Sequence, residues 1–183
     1  MLVSGTLLLF FMLTPEQEKW ISHLSKIDKV KIIPFDPSCF EKFESLKNKI
    51  ISAVGFDIRV EHHGATNLKI SGQDEIDLYV PVPSEKFDEY VLLMEGLFGR
   101  ARSCYPLERA RFVTEESGKH IDVFVINEDH SGWKNSIRFE KYLLSNLEAL
   151  EAYKKLKEDL DGQSVQRYYR KKIEFINKVL SKD

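Results

Sequence analysis

Three carboxylates in this chain sit in positions where they could hold a cation. Glu75 and Asp77 lie two residues apart inside Glu75–Pro81, an otherwise apolar run that reads as a buried strand. On a strand, residues i and i+2 point to one side. Glu75, Asp77 and Tyr79 therefore share a face, and Ile76, Leu78 and Val80 form an apolar one. The run His120–Ile126 repeats the pattern: Ile121, Val123 and Val125 on the core side, His120, Asp122 and Phe124 opposite. If the two strands are neighbours in a sheet, Glu75, Asp77 and Asp122 converge.

Converging carboxylates repel. At an effective dielectric near ~20, two such charges about 4 Å apart cost on the order of 4 kcal/mol. Either one takes a proton or a cation sits between them. Mg²⁺ is the natural candidate, because it takes oxygen ligands, keeps several waters and recruits phosphate oxygens. Two such ions on a carboxylate cluster can align an attacking hydroxyl and a leaving pyrophosphate.

The residues just upstream suit that chemistry. Gly64-Ala65-Thr66 lets backbone N–H groups approach a phosphate, since Gly64 has no side chain, and Thr66 adds a hydroxyl. If Thr66 or Asn67 opens a helix, the phosphate also meets a helix N-terminus. Taken singly, each signal has a plainer reading. A Glu-x-Asp pair can be a solvated strand edge, Gly-Ala-Thr a simple turn and Asp122 a surface acid. His62 is either a packed histidine bonding the turn or a phosphate contact. Arg109 and Arg111 share one face of a strand. Their guanidinium forks suit triphosphate oxygens, or they neutralise the acids in place of a metal.

The elements that must position these groups are legible from periodicity. Thr14-Pro15-Glu16-Gln17 opens a helix with a capping box, and Trp20, Ile21, Leu24 and Ile27 follow at helical spacing. Val30–Phe35 is extended. A second helix carries Phe40, Phe43, Leu46, Ile50 and Val54 on one face. Phe56, Ile58 and Val60 alternate with polar residues as a strand. After Glu75–Pro81, Ser84 starts a helix that Gly99 helps end. Arg109–Val113 and His120–Ile126 are strands joined by a loop, 114–118. The last third is helical: Ser145 to Glu148 is a capping box, Leu147, Leu150, Tyr153, Leu156 and Leu160 form a face, and Ser164 begins the final helix. The basic residues of these helices, Lys157 and Arg170 among them, read as solvated. Tyr168 and Lys172 read as packing residues.

The 183 residues, 43% hydrophobic and 31% charged, suit one soluble domain over 14–183. The apolar run before Thr14 is too short to span a bilayer. Residues 1–13 are read as an N-terminal extension, with an added strand as the alternative. The net charge of -2 does not favour a general nucleic-acid surface. Cys39 and Cys104 lack metal-ligand spacing, so free thiols in a reducing cytoplasm are expected. No nucleophilic Ser-His-Asp or Cys-His set, Walker loop or dinucleotide glycine pattern is present.

A glycine turn, an acid-x-acid strand and a later strand with one acid, in that order, resemble the nucleotidyltransferase superfamily. More closely, the chain resembles the GrpB family within it. PFDPSCFEKF (Pro34–Phe43), Val60–Thr66 and Ile76-Asp-Leu-Tyr-Val80 carry the likeness. So do Arg138-Phe139, Tyr142-Leu143, Tyr153, Leu156-Lys157, Tyr168, Lys172 and Phe175-Ile176 in the C-terminal helices. The likeness spans roughly Ile33–Val179. Ala65 stands where the family usually has Ser, Leu68–Ser71 where it has Val-Pro-Gly-Leu, and Gln73-Asp74 where it has Lys-Pro. Glu75 adds an acid that typical members lack, and Asp122 stands where many have histidine.

The resemblance implies an α/β (α+β) fold: a nucleotidyltransferase-like mixed sheet flanked by helices, with C-terminal helices. It implies Mg²⁺ and a nucleoside triphosphate as cofactor and substrate, with transfer of a nucleotidyl group to an unnamed hydroxyl acceptor. Glu75 and Asp77 would hold metal, with Asp122 completing the metal set and orienting the acceptor's proton. Gly64, Ala65, Thr66, His62, Arg109 and Arg111 would meet phosphate. Pyrophosphate transfer at the same site and a non-catalytic module binding a nucleotide or protein are the alternatives.

Overall fold

The computed structural model describes residues 13–55 and 57–182. The expected N-terminal extension lies, but for its last residue, outside the described residues, as does Phe56. The elements in chain order are α1 (Pro15–Ser22), α2 (Cys39–Val54), β1 (Glu61–His63), α3 (Gly64–Asn67), β2 (Glu75–Val82), a 3₁₀ turn (Ser84–Lys86), α4 (Phe87–Phe98), β3 (Ser103–Tyr105), β4 (Arg109–Glu116), β5 (Lys119–Asn127), α5 (Ser131–Ser145), α6 (Leu147–Asp159) and α7 (Val165–Leu180). Contacts divide the chain into two compact units, Pro34–Ile137 and a helical unit formed by the chain up to Ile33 together with Arg138–Asp183.

The sheet unit holds five strands in the order β1-β2-β5-β4-β3. β2 and β5 are parallel neighbours, and every other pairing is antiparallel. The apolar face is the one the alternation predicts. Ile76, Leu78, Val80, Ile121, Val123 and Val125 are all fully buried, packed with Leu46 and Ile50 of α2 and Phe87 and Met94 of α4. Truncating one such residue to alanine costs about 2–5 kcal/mol, since interior packing relaxes only in part.

Two boundaries in the sheet unit differ from the periodicity, and in the helical unit α1 ends at Ser22, short of Leu24 and of the exposed Ile27. Ile58 and Val60 do pack on this core, but the ladder starts only at Glu61. Gly55, at φ 123°, turns the chain out of α2, and Asp57 lies in a turn, so the alternating segment reaches the sheet late. The expected 114–118 loop shrinks to Ser117-Gly118, with β4 running to Glu116 and β5 starting at Lys119. Both turn residues have positive φ, 50° and 76°, the geometry of a tight two-residue hairpin whose twist matches the strands. The short β3 is absent from the sequence reading, because three residues give too little alternation to detect.

In the helical unit the Thr14 capping box forms as predicted, with Gln17 as its partner. Arg170 of α7 donates to both carboxylate oxygens of Glu18 on α1, at 2.6 and 2.7 Å. Tyr168 is buried with Val30 and Leu160. The cap of α6 is Asn146, which accepts from the Ala149 N–H, rather than Ser145, and Leu147 is left exposed outside the helix's packed face. Lys157 is not solvated: it is 4% exposed, its ammonium over the Tyr153 ring. Cys39 and Cys104 are both free thiols. Among the described residues no helix is long and apolar enough to cross a membrane.

Candidate functional site

The parallel pairing of β2 with β5 sets the site. Its register aligns Glu75 with His120, Asp77 with Asp122 and Tyr79 with Phe124. Because side chains alternate, all six lie on the face opposite the apolar core. The three acids predicted to converge thus occupy two neighbouring rows of adjacent strands. One ligand atom each from Glu75, His120 and Asp122 lie within 4.8 Å of one another. That donor set, two carboxylates and an imidazole, is chemically competent to hold a divalent cation.

Asp122 is the buried anchor. Its Oδ2 accepts from the Arg111 guanidinium at 2.8 Å, and its Oδ1 lies 3.1 Å from His120 Nε2. Arg111 reaches it from β4, where it pairs with Phe124 while Val113 pairs with Asp122. The Arg111 side chain thus supplies positive charge inside the acid cluster, one of the two roles open to it from sequence. Arg109, opposite Ile126, points along the same face one row further off. It lies against the Tyr105 ring, 3.7 Å from Glu108, so it does not join the acids.

Gly64 meets Asp77 directly. It opens α3 at φ 76°, and a Cβ added there would lie 2.0 Å from Asp77 Oδ2. The glycine is required by the carboxylate packed on it as well as by its backbone angle. Ala65 and Thr66 follow in the same short helix, and Thr66 is buried. Its hydroxyl is 2.8 Å from His62 Nε2.

His62 occupies the other side of β1. It pairs with core-facing Leu78, while His63 pairs with Asp77. Its ring stacks on Phe43 at 4.6 Å and meets Phe40 edge-on. Burial, helped by the neighbouring His63, lowers its pKa from 6.5 to about 4. At neutral pH it is an uncharged ring among aromatics, holding the Thr66 hydroxyl from behind the turn.

Two features of the site escape the sequence reading. His63, Tyr79, Phe124 and Trp133 form an aromatic cluster on the acid-bearing face: His63 meets Tyr79 at 4.8 Å and Trp133 at 5.2 Å, and Tyr79 stacks on Phe124 at 4.8 Å. The period-2 pattern places Tyr79 and Phe124 there, but nothing local announces Trp133. The second is Lys119, buried at the start of β5, which pairs with Asp74 and, at 3.3 Å, with Asp36. Burial works to lower its pKa, but the two carboxylates outweigh burial and the net shift is upward. Asp36 is held at about 2, mainly by the Ser38 hydroxyl and backbone N–H.

The model of the GrpB protein family matches residues 29–182. The chain belongs to the GrpB family. A crystal structure of the conserved protein GrpB from Enterococcus faecalis is similar in fold, with a TM-score of 0.63 at 23% identity over 82% of this chain and 98% of that one. No curated protein matches the chain. The GrpB match runs from Lys29 to Lys182 and so includes residues of both units.

Proposed function

We propose that this GrpB-family chain is a Mg²⁺-dependent enzyme that transfers a nucleotidyl group from a nucleoside triphosphate to a hydroxyl acceptor. The observation that carries the reading is the β2–β5 register, which brings Asp77 opposite Asp122 with Glu75 in the adjoining row. Glu75, Asp77 and Asp122 would hold the cation, which when bound offsets the charge of the phosphates and of the departing pyrophosphate. The hydroxyl oxygen attacks the α-phosphorus, the bond to the bridging oxygen of pyrophosphate breaks, and the hydroxyl proton passes to solvent, with Asp122 orienting the acceptor hydroxyl. Arg111, on the other oxygen of Asp122, fixes that carboxylate's orientation. Backbone N–H groups at Gly64, Ala65 and Thr66 would approach phosphate, with His62 holding Thr66 in place. Such chemistry needs chiefly positioning and charge compensation. A cytoplasmic setting goes with this reading, since both cysteines are free thiols.

Calorimetry with Mg²⁺ and each of the four ribonucleoside triphosphates, followed by product analysis, tests it. Triphosphate binding is expected to require Mg²⁺, with pyrophosphate released. Asp77→Asn is expected to lower turnover ~100-fold or more while leaving the fold intact. Unchanged turnover in that variant overturns the reading. Transfer of pyrophosphate to the acceptor instead would keep the site and change the reaction.

One observation favours a second reading, a module that binds a nucleotide or a protein without catalysis. Arg111 already compensates Asp122. Triphosphate binding that is indifferent to Mg²⁺ and yields no product would select it.

A further inference from the structure

We propose that His120 is a metal ligand of this site, making it a mixed nitrogen and oxygen centre that selects Mn²⁺ over Mg²⁺. The inference rests on the reading that this face holds a divalent cation, and it goes further by naming a nitrogen ligand and the preference between these two ions.

His120 precedes Asp122 by two residues on β5, so it shares the acid-bearing face, and the register sets it directly against Glu75. The gap between His120 Nε2 and Asp122 Oδ1 is 3.1 Å. Two donors that bind one ion at bonds of about 2.1 Å and a right angle stand about 3.0 Å apart. The hydrogen-bonded pair is therefore already spaced as two adjacent ligands, with the ion replacing the proton on Nε2. The neutral imidazole then keeps its proton on Nδ1.

Arg111 does not oppose this. It holds Oδ2 of Asp122, and the edge turned to His120 is Oδ1. One carboxylate thus accepts the guanidinium on one side and presents its other oxygen to an ion. The Asp122 side chain is 5% exposed and that of His120 is 41% exposed, so a buried anchor meets a ligand that solvent reaches. An ion can enter without the sheet opening.

The preference between Mn²⁺ and Mg²⁺ follows from the donors. Mg²⁺ is held by oxygen and gains little from an imidazole in place of a water. Mn²⁺ accepts carboxylates equally well and, though it stands lowest among the first-row transition ions for nitrogen donors, gains more from an imidazole than Mg²⁺ does. A His-Glu-Asp set therefore raises Mn²⁺ affinity more than Mg²⁺ affinity.

The test uses the full chain, with MnCl₂ and MgCl₂ titrated by calorimetry and pulsed electron paramagnetic resonance on the Mn²⁺ complex. Mn²⁺ is expected to bind at least ~10-fold tighter than Mg²⁺. The spectrum is expected to show coupling to a ligand ¹⁴N, lost in His120→Ala and in His120→Gln, with the Mn²⁺ preference collapsing in both. No ¹⁴N coupling in the wild-type complex overturns the proposal, whatever the variants do. Coupling that survives both substitutions overturns it too, because another nitrogen would then be the ligand. Asp77-dependent Mg²⁺ binding with no preference for Mn²⁺ defeats this inference alone and leaves the proposed function standing. If neither ion binds, both fall.

Discussion

Asp77 fills the space that a side chain on Gly64 would need: a methyl group on that glycine would stand 2.0 Å from Oδ2. The turn before β2 and the central acid of β2 are thus a single fitted unit, although thirteen positions of sequence separate them.

Gly64→Ala is accordingly expected to damage both fold and site. The left-handed backbone at φ 76° costs a non-glycine residue about 1–3 kcal/mol before the clash is counted. Urea unfolding should show a loss of at least that size. Divalent-cation affinity should fall along with it, since Asp77 has to move. A variant as stable as the parent means the turn can shift away from β2 freely.

Arg111→Met removes the guanidinium from the largely buried Asp122. A charged group stripped of its partner costs about 1–3 kcal/mol, and thermal unfolding should show a lower midpoint. Added Mn²⁺ or Mg²⁺ is expected to restore more stability to this variant than to the parent, because the ion then supplies the missing positive charge. Equal stabilisation of both proteins would mean that the ion binds away from Asp122.

His62 makes stability depend on pH. Its folded pKa of about 4 lies below its ordinary 6.5, so the unfolded chain binds the extra proton first. Its contribution is complete above pH 6.5 and is lost as pH falls towards 4. Allowing for partial solvent access, the difference is on the order of 2 kcal/mol. Urea unfolding at pH 7.5 and pH 4.5 checks this: His62→Gln should lose less stability over that interval than the parent. An unchanged difference would remove the burial of this ring as the cause.

Lys119→Met leaves Asp36 and Asp74 facing each other without their shared cation. A loss of about 1–3 kcal/mol at pH 7 is expected by denaturant unfolding. Double substitution with Asp74→Asn should recover part of it, since one stranded charge is then gone. A fully additive double mutant would show that Lys119 and Asp74 do not interact.

The acid-bearing face was legible because two short runs, Glu75–Val80 and His120–Val125, alternate without a break, and alternation alone decides which side of a sheet each residue takes. Their adjacency was a conditional inference that the topology satisfies. What sequence could not reveal depends on side-chain reach. Nothing in the spacing says whether Arg111 turns to Asp122 or away, or that Arg109 lies on Tyr105. Trp133 is invisible for the same reason, since it reaches the aromatic cluster from a separate helix. His62 was readable as an inward ring, but the pair of phenylalanines that hold it come from α2, far back in the chain.

The one-to-one match of β2 with β5 also governs what kinds of genetic change this protein can absorb. Swapping a residue on either strand alters one contact, but inserting or deleting one between Glu75 and Val80 would turn every later side chain over, sending Asp77 or its successors into the hydrocarbon interior and valines outward. Lineages of this chain should therefore vary these strands in composition while keeping their length.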